Sequence, residues 1–231
     1  MSARRYSPLV RTLYHLPLDP GSRKIRILLG EKGLEVALKT EPVWERRAGF
    51  LKLNPAGEVP VLVEDDGTSI PGAVVLAEYL DEAYPAPPLI GDSPLDRAET
   101  RRLVEWFDIK FAREVSANLI EERITKRFLG LGHPNPSAIR AGLANVHYHL
   151  DYIGWLCDRR RWLAGEAFSL ADIAAAAHVS TVDYLGDVPW DEHPGARDWY
   201  ARVKSRPSLR SILADHVPGA APPKHYADLD F

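Results

Sequence analysis

The 231-residue chain is 45% hydrophobic and sets 29 Lys and Arg against 32 Asp and Glu, a net charge of −3. That apolar content supplies a buried core for one large domain or two of ordinary size, and the near balance of charge gives no global attraction to nucleic acid or to an acidic membrane surface. The opening "MSARRYSPLV" lacks the apolar run of a signal peptide, no segment approaches the roughly 20 apolar residues of a membrane span, and one cysteine excludes internal disulfides and thiolate clusters, so a soluble cytoplasmic protein is expected.

The first third alternates between strand and helix patterns. "VRTLYHL" (10–16) has strand composition, "GSRKIRILLGEKG" (21–33) places Ile25, Leu28 and Leu29 at helical spacing before Gly33, and "LEVALKTEPV" (34–43) is again extended, which makes a βαβ unit. "VPVLVEDDGTSI" (59–70) shows two extended runs about Asp66-Gly67, a two-residue hairpin signal, and "AVVLAEYLDEAY" (73–84) is a short amphipathic helix. An N-terminal domain over 8–84 is therefore expected, followed by a proline-rich linker over 85–94.

Residues 95–215 read as an all-helical domain. Leu103, Phe107, Phe111, Val115 and Leu119 recur every fourth residue, a second long helix covers 138–158, and Ser169 with Asp172 forms a capping box ahead of an almost wholly apolar helix. Two shorter helices, 194–206 and 207–215, close the domain. The tail 216–231, "HVPGAAPPKHYADLDF", has neither periodicity, yet it ends in large apolar side chains interleaved with Asp228 and Asp230.

Little chemistry is evident in the reactive side chains. Cys157 sits in an apolar helical run, where a buried inert thiol is expected over a nucleophile, and His147 and His149, two residues apart, point to different helix faces, which argues against a metal site. The charged runs 121–127 and 158–162 read as solvated helix faces and ends; "ERRAGF" (45–50) is a weaker candidate for a contact.

Three stretches together resemble the glutathione transferase superfamily: "LYHLPLDPGSRKIRILLGEKG", "LNPAGEVPVLVEDDG" with "AVVLAEYLDEAYP", and "LAGEAFSLADIAAAA". The resemblance spans about residues 10 to 213 and implies an α/β plus all-α architecture, with a thioredoxin-like N-terminal domain and a C-terminal helical bundle. Pro60 falls where the family has a cis-proline that presents the backbone of the preceding residue, here Val59, to glutathione. The family's Glu-Ser pair at the start of the next helix, which holds the γ-glutamyl carboxylate, is replaced by Gly72 and Ala73. At the family's catalytic hydroxyl or thiol position stands Asp19, whose carboxylate would repel a thiolate; Ser22, the nearest hydroxyl, suits a helix-capping turn better than catalysis. Tyr14 and His15 read as structural. No catalytic residue, metal or cofactor is expected.

"PPKHYADLDF" at the end of such a chain further resembles the FtsZ-binding, glutathione-transferase-like division proteins of bacteria. That resemblance implies a non-enzymatic homodimer at the division site that binds FtsZ filaments, curves or bundles them and promotes constriction. Lys224, His225, Tyr226, Asp228, Leu229, Asp230 and Phe231 are the expected contact, with Tyr226 and Phe231 as apolar anchors. The alternatives are a divergent glutathione S-transferase that uses Ser22 or backbone N–H groups, and a domain serving a different protein partner.

Overall fold

A computed structural model describes residues 11–229. Strand β1 (Thr12–His15) turns Leu13 and His15 inward, and helix α1 (Pro20–Glu31) follows with Asp19 as its N-cap and Pro20 at its first position. Gly33, at φ +65°, ends it in the left-handed region that favours glycine. β2 (Ala37–Thr40) pairs parallel to β1 with Leu13 opposite Leu38, so α1 is the crossover that a parallel pair requires. After α2 (Ala48–Leu51), β3 (Val61–Val63) and β4 (Ser69–Pro71) complete a mixed sheet of order β2-β1-β3-β4. Helix α3 (Ala73–Ala83) packs beside α1.

The β3–β4 turn differs from the two-residue loop expected. The Glu64 N–H bonds the Thr68 carbonyl at 2.9 Å, so Asp65, Asp66 and Gly67 form the loop, with Gly67 at φ +88°. The Asp66 carboxylate accepts from the Thr68 N–H at 2.8 Å, which lets a longer turn replace the tighter one. The proline-rich stretch after α3 is pinned rather than loose: Leu89 and Ile90 are buried, the Leu89 carbonyl accepts from the Leu170 N–H, and the Pro87 carbonyl accepts from Lys32 Nζ.

The helical part begins with α4 (Pro94–Glu105), capped reciprocally by Ser93 and Asp96. It continues without a break through Trp106–Thr125, wound as a π-helix, and a last turn α5 (Lys126–Leu129) that stops at Gly130. All five residues of the every-fourth-position stripe, Leu103 in α4 and the other four in the π-wound segment, are buried. α6 (Pro136–Cys157) starts two residues earlier than its apolar pattern, because Asn135 caps it and Pro136 tolerates the first position. α7 (Leu170–Tyr184) opens on the expected Ser169–Asp172 box and is buried along its whole length. α8 (Pro194–Lys204) and α9 (Arg210–Leu213) follow. Among the described residues no helix is long and apolar enough to cross a membrane.

α1 joins the two parts by charge as well as by packing. Arg23, Lys24 and Arg26 are buried against the helical part, where Lys24 pairs with Asp108 and Arg26 with Asp215. At its far end Glu31 accepts from Arg206 at 2.6 and 2.7 Å and from the Ser208 hydroxyl at 2.5 Å.

Candidate functional site

The loop after β1, the Val59-Pro60 peptide and the start of α3 meet where the family resemblance implies a glutathione cleft. The Val59-Pro60 bond is cis, and the Pro60 carbonyl accepts from the Gly72 N–H at 3.0 Å. A methyl group placed on Gly21 would lie 3.2 Å from Ala73 Cβ, 3.3 Å from Asp19 Oδ2 and 3.4 Å from Pro60 Cδ. The fold therefore brings Asp19, Pro60 and Ala73 into one small volume, and only glycine fits among them without displacement.

Asp19 and Ser22 are occupied with each other and with the loop. The Ser22 N–H donates to Asp19 Oδ2 at 2.6 Å, and the Ser22 hydroxyl accepts from the Leu16 N–H at 3.3 Å. Burial pushes the Asp19 carboxyl up from its ordinary value, against the two hydrogen bonds from Ser22. Gly72, at φ +93°, is the N-cap of α3 and has no side chain to bond the first turn. The start of α3 keeps its unpaired backbone N–H groups, and neither Gly72 nor Ala73 carries a hydroxyl or carboxylate.

Behind the cleft, Ser116, His178 and Asp108 form a chain: Ser116 Oγ lies 3.0 Å from His178 Nδ1, and His178 Nε2 lies 3.4 Å from Asp108. Although burial opposes it, the His178 contact and the Lys24 charge hold the Asp108 carboxyl below its usual value. Ser116 and His178 are themselves buried, so the chain ties α7 to the 106–125 helix within the helical part, and Lys24 of α1 joins it at Asp108.

The other reactive side chains are likewise structural. His15 is buried and pushed down to about 4, first by desolvation and then by Arg26. His149 accepts from Trp106 Nε1 at 3.1 Å and meets Glu114 at 3.2 Å, whereas His147 turns outward to His193 at 2.9 Å. Burial pushes the Cys157 thiol up to about 11. Tyr14 stacks at an angle on Phe50. Among the described residues no group of three or more His, Cys, Asp or Glu side chains is arranged to hold a metal ion.

The tail lies against its own body. The Tyr184 hydroxyl accepts from the Val217 N–H and donates to the Ala220 carbonyl, both within 2.8 Å, and Lys224–Ala227 forms a helical turn. Tyr226 is fully buried: its hydroxyl donates to the Ile212 carbonyl at 3.1 Å and its ring meets Tyr184 edge-on at 5.1 Å. This corrects its expected place as a surface anchor, since aromatic area in a tail is satisfied by whichever apolar pocket is nearest, and here that pocket is internal. His225 pairs with buried Asp183 at 3.0 Å. Lys224, Asp228 and Leu229 remain on the surface, and Asp230 and Phe231 lie outside the described residues.

One exposed feature escaped the pattern reading. Trp44, beside the 45–50 run, stacks on Phe128 at 6.4 Å and 13° between planes, and Leu131 nearby is 63% exposed. Arg127, adjacent to Phe128, donates to the Gly219 carbonyl of the tail. The rings come from positions far apart in sequence, so only an unassigned Trp in a polar turn could have signalled the pair.

The N-terminal-domain model of glutathione S-transferases matches residues 13–88, and the C-terminal-domain model matches residues 136–202. The FtsZ-localized protein A of Caulobacter vibrioides is 48% identical over 224 residues, 96% of this chain and 98% of that protein. The chain belongs to the glutathione S-transferase family. Within the family, the structure of FzlA from C. crescentus superposes with a TM-score of 0.93, covering 96% of this chain and 100% of that one at 48% identity. The crystal structure of a glutathione S-transferase from Rhodospirillum rubrum does so with a TM-score of 0.94 at 54% identity, over 96% and 100% of the two chains. The expected glutathione-transferase-like architecture is thus the one observed.

Proposed function

We propose that this chain is a non-catalytic, dimeric adaptor that binds FtsZ filaments at the division site and curves or bundles them during constriction. The observation that carries this reading is the cleft itself: family architecture is kept, while Asp19, Gly72 and Ala73 remove the groups that would activate and hold glutathione. Two absent hydrogen bonds to a charged carboxylate forfeit on the order of 1.5 to 3 kcal/mol each. The 48% identity to an FtsZ-localized protein across nearly the whole chain supports the choice of partner.

A two-fold dimer presents two copies of one surface at a fixed angle, so weak single contacts multiply by avidity. Where that angle mismatches a straight filament, binding favours a curved one in proportion to the differential affinity. The surface residues Lys224, Asp228 and Leu229, together with Asp230, Phe231 and the Trp44–Phe128 pair, are the proposed contact; Tyr226 serves as its internal support.

Co-sedimentation with FtsZ assembled in GTP, run beside glutathione calorimetry, tests the reading. Pelleting without glutathione heat is expected. Glutathione binding without pelleting overturns it in favour of a divergent glutathione S-transferase, the reading that the 54% identity to the R. rubrum protein favours.

A further inference from the structure

One buried cation serves both the cleft loop and the tail. Arg23, in the first turn of α1, is 0% exposed. Its Nε donates to the Pro17 carbonyl of the cleft loop at 2.6 Å, its Nη1 to the Ser180 hydroxyl at 2.8 Å, and its Nη2 to Asp215 at 3.4 Å. Its guanidinium lies 5.8 Å from the centre of the Tyr184 ring and 5.9 Å from that of Tyr226. The fully buried Tyr226 ring is therefore one wall of the pocket that keeps water from this charge.

We propose that the cleft loop, residues 16–22, and the C-terminal tail form one cooperative unit joined through Arg23, so that a disturbance in the cleft changes the tail, and undocking of the tail loosens the cleft. This rests on the reading above only in taking the tail as a filament contact. Within the loop the Ser22 N–H to Asp19 bond is short, at 2.6 Å, while the Asp19 N–H to Leu16 carbonyl and Leu16 N–H to Ser22 hydroxyl bonds are both long, at 3.3 Å; the bond from Arg23 to the Pro17 carbonyl is as short as the first. When Tyr226 leaves, water reaches the guanidinium and competes with the Pro17 carbonyl for it. In the other direction, a shift of the Pro17 carbonyl frees the guanidinium to leave the face of Tyr226. The two-state element is the docked tail, with Gly219 at φ +74° where the chain turns back. Linkage makes the effect reciprocal, so a ligand that orders the loop would tighten the tail by the same factor.

Hydrogen exchange of the full chain, without FtsZ, reads this coupling. Tyr226→Ala should speed exchange at Leu16, Asp19 and Ser22 by roughly tenfold or more while leaving β3 and β4 unchanged. Tyr226→Phe, which keeps the ring, should leave the loop protected. In reverse, Gly21→Ala, which forces the loop against Ala73 and Pro60, should speed exchange at Val217, Ala220 and Tyr226 in the tail. Unchanged loop protection in Tyr226→Ala, or unchanged tail protection in Gly21→Ala, overturns the proposal. If exchange responds as expected but Tyr226→Ala still pellets with FtsZ like the parent, the coupling stands and the tail's role in filament contact fails. If pelleting is lost while loop exchange stays fixed, the coupling fails and the adaptor stands.

Discussion

Asp19 is the N-cap of α1. Its carboxylate accepts the Ser22 N–H at 2.6 Å, so Asp19→Ala should cost about 1 kcal/mol in urea unfolding, whereas Asp19→Ser, which keeps a capping oxygen, should cost a few tenths. If Asp19→Ser instead created glutathione turnover, loss of the hydroxyl would be the main departure from an enzyme. His225 offers a second single-residue test. The Asp183 carboxylate at 3.0 Å raises its imidazole above the ordinary value, against burial and the charge of Lys204. A raised folded value means that the pair's contribution is complete below about pH 6.5 and is lost as pH rises through the elevated value. Protection of the tail amides should therefore fall with rising pH, and His225→Gln should flatten that dependence; a tail equally protected on both sides of the transition would show that the pair adds nothing.

Among the elements, α7 has the most to lose. It is buried on every side and its first turn depends on Asp172, which accepts from the Leu163 N–H and Trp199 Nε1 at 3.0 Å and from the Ser169 N–H at 3.1 Å. Removing that carboxylate strands donors from the preceding loop, from α7 and from α8 at once. Asp172→Ala should destabilise by about 3 kcal/mol or more in urea unfolding, and Ser169→Ala by about 0.5 to 2 kcal/mol. Equal costs would mean that the box works as a local cap and not as a junction of three segments. This box was legible in the sequence because its members are three residues apart. The winding of Trp106–Thr125, which packs on α6 and α7, was not, because an apolar repeat of four residues does not by itself separate α from π geometry.

At the scale of the whole molecule, the stacked pair of Trp44 and Phe128 joins the N-terminal and helical parts on the surface that the tail also borders. Its rings are about half exposed, so Trp44→Ala or Phe128→Ala should change stability by no more than about 1 kcal/mol while reducing pelleting with FtsZ. Pelleting unchanged in both variants would move the contact away from this face.

By itself the sequence determined the order of strands and helices apart from the short α2, the capping turn of Asp19 and Ser22, and the Ser169–Asp172 box, because each of these depends on residues within a few positions of one another. Tertiary structure alone decided where charge and aromatic area would be buried. The spacing of Ile25, Leu28 and Leu29 marks α1 as a helix but says nothing of its basic residues, of which Lys24 meets a carboxylate 84 residues away and Arg23 meets one 192 residues away. Tyr226 reads as a free anchor in a tail, yet it closes the pocket around that same arginine. Burying a cation costs free energy unless a partner and a dry wall arrive together, and whether they do depends on chain packing that no local spacing records.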